Sequence, residues 1–500
     1  MESSLDSPSS HEKILSKKWS PYFLSLVCGS FASIFFLKPL LVLCFILGPL
    51  PVLYCVLNSS VRTGIKLSML FGLVAMLPTV IEMTKIMSPF QQVGLWLLFS
   101  FLLALPIILT RLVLGRLSDQ LNISYFLFLP WVYGAAMAGI AVLYNLPFTG
   151  HWMPVLAYQS FEVSRQLMSV AGSYTVLFLI ALIAGALLVL VLSRTKKVLV
   201  NTAAIIIVAC LFITLGYGQI PEIERSIKVA TITANLPERE NEKWYDVLPP
   251  IAKTNDWINL YQKYASLTRE AANKNAKIIA WPEYALILKG MVDESNLKTS
   301  LIDLANKLDV TIVASYINVQ SRKNVAYGIT PSGEEVTYYK QRLVGVVESS
   351  WLTSGLKDFE LLYVKELDLN IGIRICYDND FPMGTREAIK AGAEIMITPY
   401  ADWDGVSETH ARLNAMHAAE NHISTLRAAR GGLSTIVGPE GEIIKSGRSD
   451  LTPDQVLIAE LPISKPGTIY SKFGDWLGWL CMMFIIVMGG IRIRVIYKKI

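Results

Sequence analysis

Apolar runs close to the length of a bilayer-crossing helix recur through residues 19–220 of this chain and return once near its end. They lie at Trp19–Leu37, Pro39–Val61, Leu67–Ile81, Gln91–Thr110, Leu121–Tyr144, Gln166–Ser193 and Val198–Ile220, with an eighth at Trp476–Ile491. About 20 apolar residues in a helix span the hydrocarbon core of a membrane. Leu67–Ile81 and Trp476–Ile491 are short and must borrow flanking residues. Uncharged runs in this number do not fit the core of a soluble protein. An α-helical membrane bundle of about eight transmembrane helices is therefore expected. The first run is not a cleavable signal, because many more follow it and no small-residue cleavage site separates them.

The basic residues carry topology. Lys13, Lys17 and Lys18 precede the first run; Arg62 and Lys66, Arg111 and Arg116, and Arg194, Lys196 and Lys197 fall in every second loop; Arg492, Arg494, Lys498 and Lys499 close the chain. The intervening loops hold only isolated cations such as Lys38, Lys85 and Arg165. Short loops rich in Lys and Arg stay in the cytoplasm, which places both termini inside and residues 222–472 outside. The net charge of +5 is small and its basic residues sit beside apolar runs, so it signals no nucleic-acid partner. Only 17% of residues are charged, against about 25% in soluble proteins. That deficit is confined to the apolar regions. The expected organisation is a cytoplasmic tail (1–18), seven transmembrane helices (19–221), an extracytoplasmic domain (222–472), and an eighth helix with a basic tail (473–500).

The outside segment alternates strand-like and helix-like stretches. Ile227–Thr233, Lys277–Ala280, Val310–Ala314, Leu369–Ile375 and Glu394–Thr398 read as strands; Trp257–Asn275, Leu297–Lys307, Gly384–Ala391 and Glu408–His422 read as helices. Thr330-Pro331-Ser332-Gly333 and Gly438-Pro439-Glu440-Gly441 are hairpin turns. An α/β domain with mixed strand directions is expected.

Five of the six cysteines (Cys28, Cys44, Cys55, Cys210 and Cys481) lie in apolar runs, and Cys376 alone lies in the outside domain. A lone thiol at a strand end before the polar run Tyr377-Asp378-Asn379-Asp380 is either a nucleophile or a buried core cysteine. A nucleophilic thiol needs a base and a group that holds the oxyanion. His410, His417 and His422 share one predicted helix with His410 and His417 on one side, so a Cys–His pair is possible; they read first as surface or satisfied histidines, and no spacing to acidic or thiol ligands suggests a metal. Glu283, after Trp281-Pro282, and Lys340 sit, like Cys376, at ends of predicted strands, where α/β proteins gather their sites. A Glu can take the thiol proton, and a Lys can lower the thiol pKa and hold an oxyanion.

Three segments resemble the Glu–Lys–Cys triad motifs of the nitrilase, or carbon–nitrogen hydrolase, superfamily. They are Ile278-Ile279-Ala280-Trp281-Pro282-Glu283, Tyr338-Tyr339-Lys340-Gln341-Arg342 and Arg374-Ile375-Cys376-Tyr377-Asp378. With seven apolar runs before this domain and one after it, the chain resembles the bacterial apolipoprotein N-acyltransferase family. Further likenesses are Leu156-Ala157-Tyr158-Gln159 with Gly172-Ser173-Tyr174, Thr233-Ala234-Asn235-Leu236-Pro237 with Trp244, His410-Ala411-Arg412 through Gly438-Pro439-Glu440-Gly441, and Thr468-Ile469-Tyr470 through Gly474-Asp475-Trp476. Three features depart from the family. Val346-Val347-Glu348 stands where it has Phe-Gly-Glu, Asp378 stands where it has Glu, and the stretch from Lys340 to Cys376 is short.

The resemblance implies an αββα sandwich domain, catalysis by Glu283, Lys340 and Cys376, and no cofactor or metal. It implies acyl transfer from a phospholipid, through a Cys376 thioester, to the α-amine of a diacylglyceryl-cysteine at a lipoprotein N-terminus. Glu348, Trp244, Tyr377 and Asp378 become supporting or substrate-binding residues. The implied setting is the bacterial cytoplasmic membrane, with the domain on the periplasmic side, a monomeric enzyme and no nucleic acid. Two other activities stay open: a membrane-bound amidase or an acyltransferase for another amine, and a non-catalytic scaffold.

Overall fold

The computed structural model describes residues 19–37, 42–78, 89–116, 123–145, 160–234, 257–356, 360–402, 406–451 and 454–497. The chain divides into two compact units, one of residues 1–143, 174–212 and 475–500, the other of residues 144–173 and 213–474.

The first unit is helical. Among the described residues, Pro89–Leu114, Ser173–Leu192, Lys196–Tyr217 and Trp476–Val495 are long and apolar enough to cross a membrane, and Pro49–Asn58 and Leu127–Ala141 are shorter apolar helices. The run expected over Pro39–Val61 is broken into helices Val42–Leu47 and Pro49–Asn58. Ser60 then caps a new helix, Val61–Ala75, by accepting from the Thr63 amide at 3.2 Å. A serine at this position satisfies an amide that the first helical turn leaves without a partner. The third run therefore begins at Val61, ahead of the expected Leu67.

Arg111, expected in a basic loop, lies inside the Pro89–Leu114 helix and is buried. Its Nε and Nη2 donate to the Ser59 carbonyl at 3.2 and 2.9 Å, closing the break between two helices. Small residues bring the helices together, as is usual in membranes. A Cβ on Gly72 would stand 2.3 Å from the Ser100 carbonyl oxygen, and one on Gly139 would stand 2.9 Å from the Met482 amide. The run expected over Gln166–Ser193 divides at Gly172, whose φ of 65° ends the helix Glu162–Ala171. That helix belongs to the second unit and packs there on Ser407–Asn421 and Ile469–Phe473.

The second unit is built on two sheets. One has the order β13-β1-β2-β4-β5-β6, with β3 also paired to β4; the other has the order β12-β11-β10-β9-β8-β7. The strands of the first are β1 Ile223–Ala234, β2 Ile278–Ala280, β3 Leu286–Leu288, β4 Thr311–Asn318, β5 Lys323–Ile329, β6 Glu335–Tyr339 and β13 Asp454–Ser464. Those of the second are β7 Leu362–Val364, β8 Leu369–Ile373, β9 Ile395–Ala401, β10 Ser424–Arg430, β11 Leu433–Val437 and β12 Ile443–Arg448. β1-β2-β4 and β8-β9-β10 are parallel. Parallel neighbours need crossovers. Trp257–Asn273 and Met291–Leu308 supply them on the first sheet, Pro382–Ala391 and Ser407–Asn421 on the second.

One core lies between the sheets, joining Val229, Ile278 and Val313 to Ile371, Ile373 and Ile397. A second joins the outer face of the first sheet to its helices through Trp281, Ile312, Tyr264 and Leu301. Smaller clusters around Ala388, Met396 and Ile423, and around Ala415, Ala418 and Val437, do the same on the second sheet. The layers are helix, sheet, sheet, helix, the expected αββα sandwich. β3, β7, β10 and β13 go beyond the sequence reading, and Leu369–Ile375 ends as a strand at Ile373.

Candidate active site

β2 is wholly apolar and buried on both faces. The chain leaves it through Trp281, whose amide donates to the Val313 carbonyl at 2.8 Å and whose indole N–H donates to Thr268 Oγ1 at 3.1 Å. The indole also stacks on Tyr264, with centroids 4.9 Å apart. This large plug fixes the strand end and carries Glu283 into the interior, where it is 1% exposed. Glu283 Oε2 accepts from the Ala401 amide at 2.9 Å. Its Oε1 accepts from Asn324 Nδ2 at 2.7 Å and from Lys340 Nζ at 2.9 Å.

Lys340 follows β6 and keeps its sheet pairing, since its amide donates to the Asn324 carbonyl at 2.9 Å. Its ammonium lies between two carboxylates, Glu283 and Glu348, reaching Glu348 Oε1 at 2.7 Å. Glu348 comes from the short helix Gly345–Ser349. Its Oε2 accepts from the Val344 amide at 2.7 Å, and Tyr284 donates its hydroxyl to Oε1.

Cys376 opens the 3-10 turn Cys376–Asp380 just past β8. Its φ of 46° is left-handed, a conformation that costs a non-glycine residue roughly 1–3 kcal/mol and persists only where neighbours enforce it. Two carboxylates of the same turn supply the enforcement. Asp378 accepts from the Gln341 amide at 3.1 Å, the Arg342 amide at 2.6 Å and the Tyr338 hydroxyl at 2.8 Å. Asp380 faces His410, with Oδ2 3.5 Å from Nε2. The turn is thus tied to the stretch after β6 on one side and to the Ser407–Asn421 helix on the other.

The electrostatics are unbalanced toward acid. Burial pushes the Cys376 thiol well above its usual range; Glu283 and Glu348 push it further, and Lys340 opposes them. Burial also raises Glu283, against the pull of Lys340 and with a further push from Glu348. Burial would lower Lys340, but Glu283 and Glu348 hold it well above the ordinary lysine value, so it stays charged. A free thiolate is unfavourable here. The arrangement can release the thiol proton only as negative charge moves onto an incoming carbonyl oxygen, with a carboxylate to receive the proton and an ammonium to face the oxyanion.

Residues 245–468 match the carbon–nitrogen hydrolase family. An apolipoprotein N-acyltransferase of Geobacter metallireducens is 25% identical over 493 residues, 89% of this chain and 90% of that protein. Another, of Rickettsia bellii, is 25% identical over 513 residues, 94% of this chain and 97% of that one. The chain carries a carbon–nitrogen hydrolase domain and is similar to apolipoprotein N-acyltransferases along most of its length. A solved amidase of Nesterenkonia sp. AN1 aligns at 18% identity and a TM-score of 0.41, covering 51% of this chain and 95% of its own.

In this chain Glu283, Lys340 and Glu348 form one hydrogen-bonded cluster, and Cys376 feels the charge of all three. Asp378 holds backbone amides and not a second charged partner. Tyr377 is half-buried and meets Phe381 edge-on at 5.3 Å, while the Arg342 guanidinium covers the Phe381 ring at 3.7 Å. Trp244 and the side chains of Val346 and Val347 lie outside the described residues. The three histidines are all buried, so of the two settings expected, surface or satisfied, the surface one does not hold. His410 Nδ1 meets Asp402 Oδ1 at 2.9 Å, and His417 Nδ1 meets Glu420 Oε2 at 2.9 Å. Sequence reasoning passed over Asn324, Tyr284, the Ala401 amide and Asp402. Asn324 and Asp402 carried a signal, each being a short polar side chain at the end of an apolar stretch.

Proposed function

We propose that this chain moves a fatty acyl group from a membrane phospholipid, through a thioester on Cys376, to the α-amine of a lipoprotein's N-terminal diacylglyceryl-cysteine. The observation that carries the reading is the buried cluster around Lys340, which sets a carboxylate and an ammonium on the field of the one thiol of the domain. Curated relatives named for this activity, similar along about nine-tenths of both chains, support it.

In the first step Glu283 takes the Sγ proton as the sulfur attacks the ester carbonyl carbon. The carbonyl electrons move onto oxygen, opposite the Lys340 ammonium. Collapse breaks the ester C–O bond, and Glu283 returns the proton to the departing lysophospholipid. In the second step the amine attacks the thioester carbon and gives a proton to Glu283. Collapse breaks the C–S bond, and that proton restores the thiol. Glu348 orients Lys340, and Tyr377 is the candidate substrate-binding residue beside the thiol. Both substrates are lipid-anchored, so an enzyme in the same bilayer saves much of the entropy of bringing them together. The alternating basic residues, apart from the buried Arg111, support a domain on the periplasmic face of the bacterial cytoplasmic membrane, and the enzyme is read as a monomer.

The test uses the purified full chain with a labelled-acyl phospholipid and a synthetic diacylglyceryl-cysteine peptide. Mass spectrometry is expected to find the peptide heavier by one acyl amide and an equal amount of lysophospholipid. Free fatty acid with no N-acyl peptide would overturn the acceptor, and no lipid turnover at all would overturn the reading.

A further inference from the structure

Behind Cys376 lies a second cluster of buried ionisable groups that the chemistry above does not use. His410, from the Ser407–Asn421 helix, lies between two aspartates, with Nδ1 2.9 Å from Asp402 Oδ1 and Nε2 3.5 Å from Asp380 Oδ2. Arg427, from β10, donates to Asp402 Oδ2 and to the Leu433 carbonyl. Its guanidinium covers the Tyr400 ring at 4.2 Å, and that ring is 5.2 Å from the His410 imidazole. Asp380, Asp402 and Arg427 are each 0% exposed at the side chain, and His410 is 4%. Space is reserved for the arrangement. A Cβ on Gly432 would stand 2.5 Å from Asp402 Oδ2.

We propose that His410 is a positioning residue for the Cys376 nucleophile, bridging the turn that carries the thiol to the strand end that holds Glu283. This rests on the reading of Cys376 and Glu283 given above. The bridge is short in both directions. Asp380 ends the five-residue turn that Cys376 begins. Asp402 follows Ala401, whose amide holds Glu283 Oε2. The two halves of the reaction centre come from different sheets, and His410 joins their supports.

The choice of histidine follows from the geometry. Only an imidazolium donates from both ring nitrogens at once, so only the charged form holds both aspartates. Among the described residues, Asp380 from the turn and Asp402 just past β9 favour that form, Tyr400 is neutral, and the Arg427 cation stands behind Asp402. Burial alone would lower the His410 pKa, but Asp380 and Asp402 raise it to about 9. Burial alone would raise Asp402, but Arg427 and His410 bring it below the usual carboxylate range. Two acids and two bases balance. Buried ion networks of this kind add little net stability over an apolar core and serve best to fix one geometry.

The test measures the rate of acyl-thioester formation on the full chain, mixed with liposomes of phosphatidylethanolamine and phosphatidylglycerol, by intact mass between pH 6 and 10.5. Wild type, His410→Gln and Asp380→Asn are compared, with each variant's thermal unfolding recorded. The wild-type rate is expected to fall above pH 9, opposite to the rise that thiol ionisation alone gives. His410→Gln is expected to acylate about 10²-fold more slowly, the scale set by a misplacement of about 1 Å. Its dependence on lipid concentration should not change, and the alkaline fall should disappear. Asp380→Asn should lie between the two. No adduct on wild type would refute the nucleophile itself. A wild-type adduct whose rate does not fall up to pH 10.5, or a folded variant acylating at the wild-type rate with the same alkaline fall, would overturn the bridge and leave the nucleophile standing.

Discussion

Two buried charge clusters flank the Cys376–Asp380 turn, and they are built on opposite plans. On one side Glu283 and Glu348 share the single cation Lys340. On the other Asp380 and Asp402 are matched by His410 and Arg427. The first has an acid in excess, so a proton has reason to move and a thiolate has reason not to form early. The second is balanced, so its charges have reason to stay where they are. On the proposed mechanism, the contrast separates groups that change charge during a turnover from groups that hold the others in place.

Substitutions can break this contrast, and Cys376→Ala should have the largest effect. It removes the nucleophile and should abolish both the thioester adduct and N-acyl product while the protein still unfolds cooperatively. Glu283→Gln comes next. It removes the proton acceptor, and acylation measured by intact mass should fall about 10²–10⁴-fold. Because burial and Glu348 already disfavour the charged form of Glu283, the same variant should keep the wild-type Tm or exceed it. Asp402→Asn should do the reverse for stability. Leaving Arg427 and His410 short of a buried partner should cost about 3–5 kcal/mol in denaturant unfolding. Equal destabilisation by the two variants would erase the distinction between the clusters.

The pH dependence of folding sharpens the same point. The folded pKa of His410 is about 9, above the ordinary 6.5. Its contribution, on the order of 3 kcal/mol, is therefore fully present below pH 6.5 and lost as pH rises through 9. Urea unfolding of wild type should weaken over that window, and unfolding of His410→Gln should lack this loss. The smallest effect is expected from Asp378→Asn. An amide oxygen can still accept from the Gln341 and Arg342 amides, so acylation should drop about tenfold or less.

The chemistry of one cluster was legible in the sequence and that of the other was not. Glu283, Lys340 and Cys376 each follow a short apolar run, so period and position announced them as strand-end residues. Trp281 before Glu283 was noticed, but its purpose as a plug stacked on Tyr264 depends on how the preceding helix, Trp257–Asn273, packs back on the sheet. His410 was read as a surface or satisfied helix residue or a partner for the thiol, and not as a bridge, because its partners lie on a turn and a strand end that only the fold brings together. Arg427 hid β10 for a similar reason. A charged residue in the middle of Ser424–Arg430 argues against a buried strand until Asp402 is found beside it. In the helical unit, Arg111 looked like a topology signal because its acceptor, the Ser59 carbonyl, belongs to a helix break that an unbroken apolar run conceals. Fold class follows from periodicity, which is local. Charge pairing across elements is not local, and there the sequence misled.

The central claim is that Cys376 carries the acyl group between lipid and amine. Wild-type protein mixed with phospholipid, then digested and mapped by mass spectrometry, should show one acyl thioester, on the peptide containing Cys376. Adding a diacylglyceryl-cysteine peptide should discharge it with equal gain of N-acyl peptide. Active protein with no adduct on Cys376, or an adduct that the peptide does not discharge, would contradict the account.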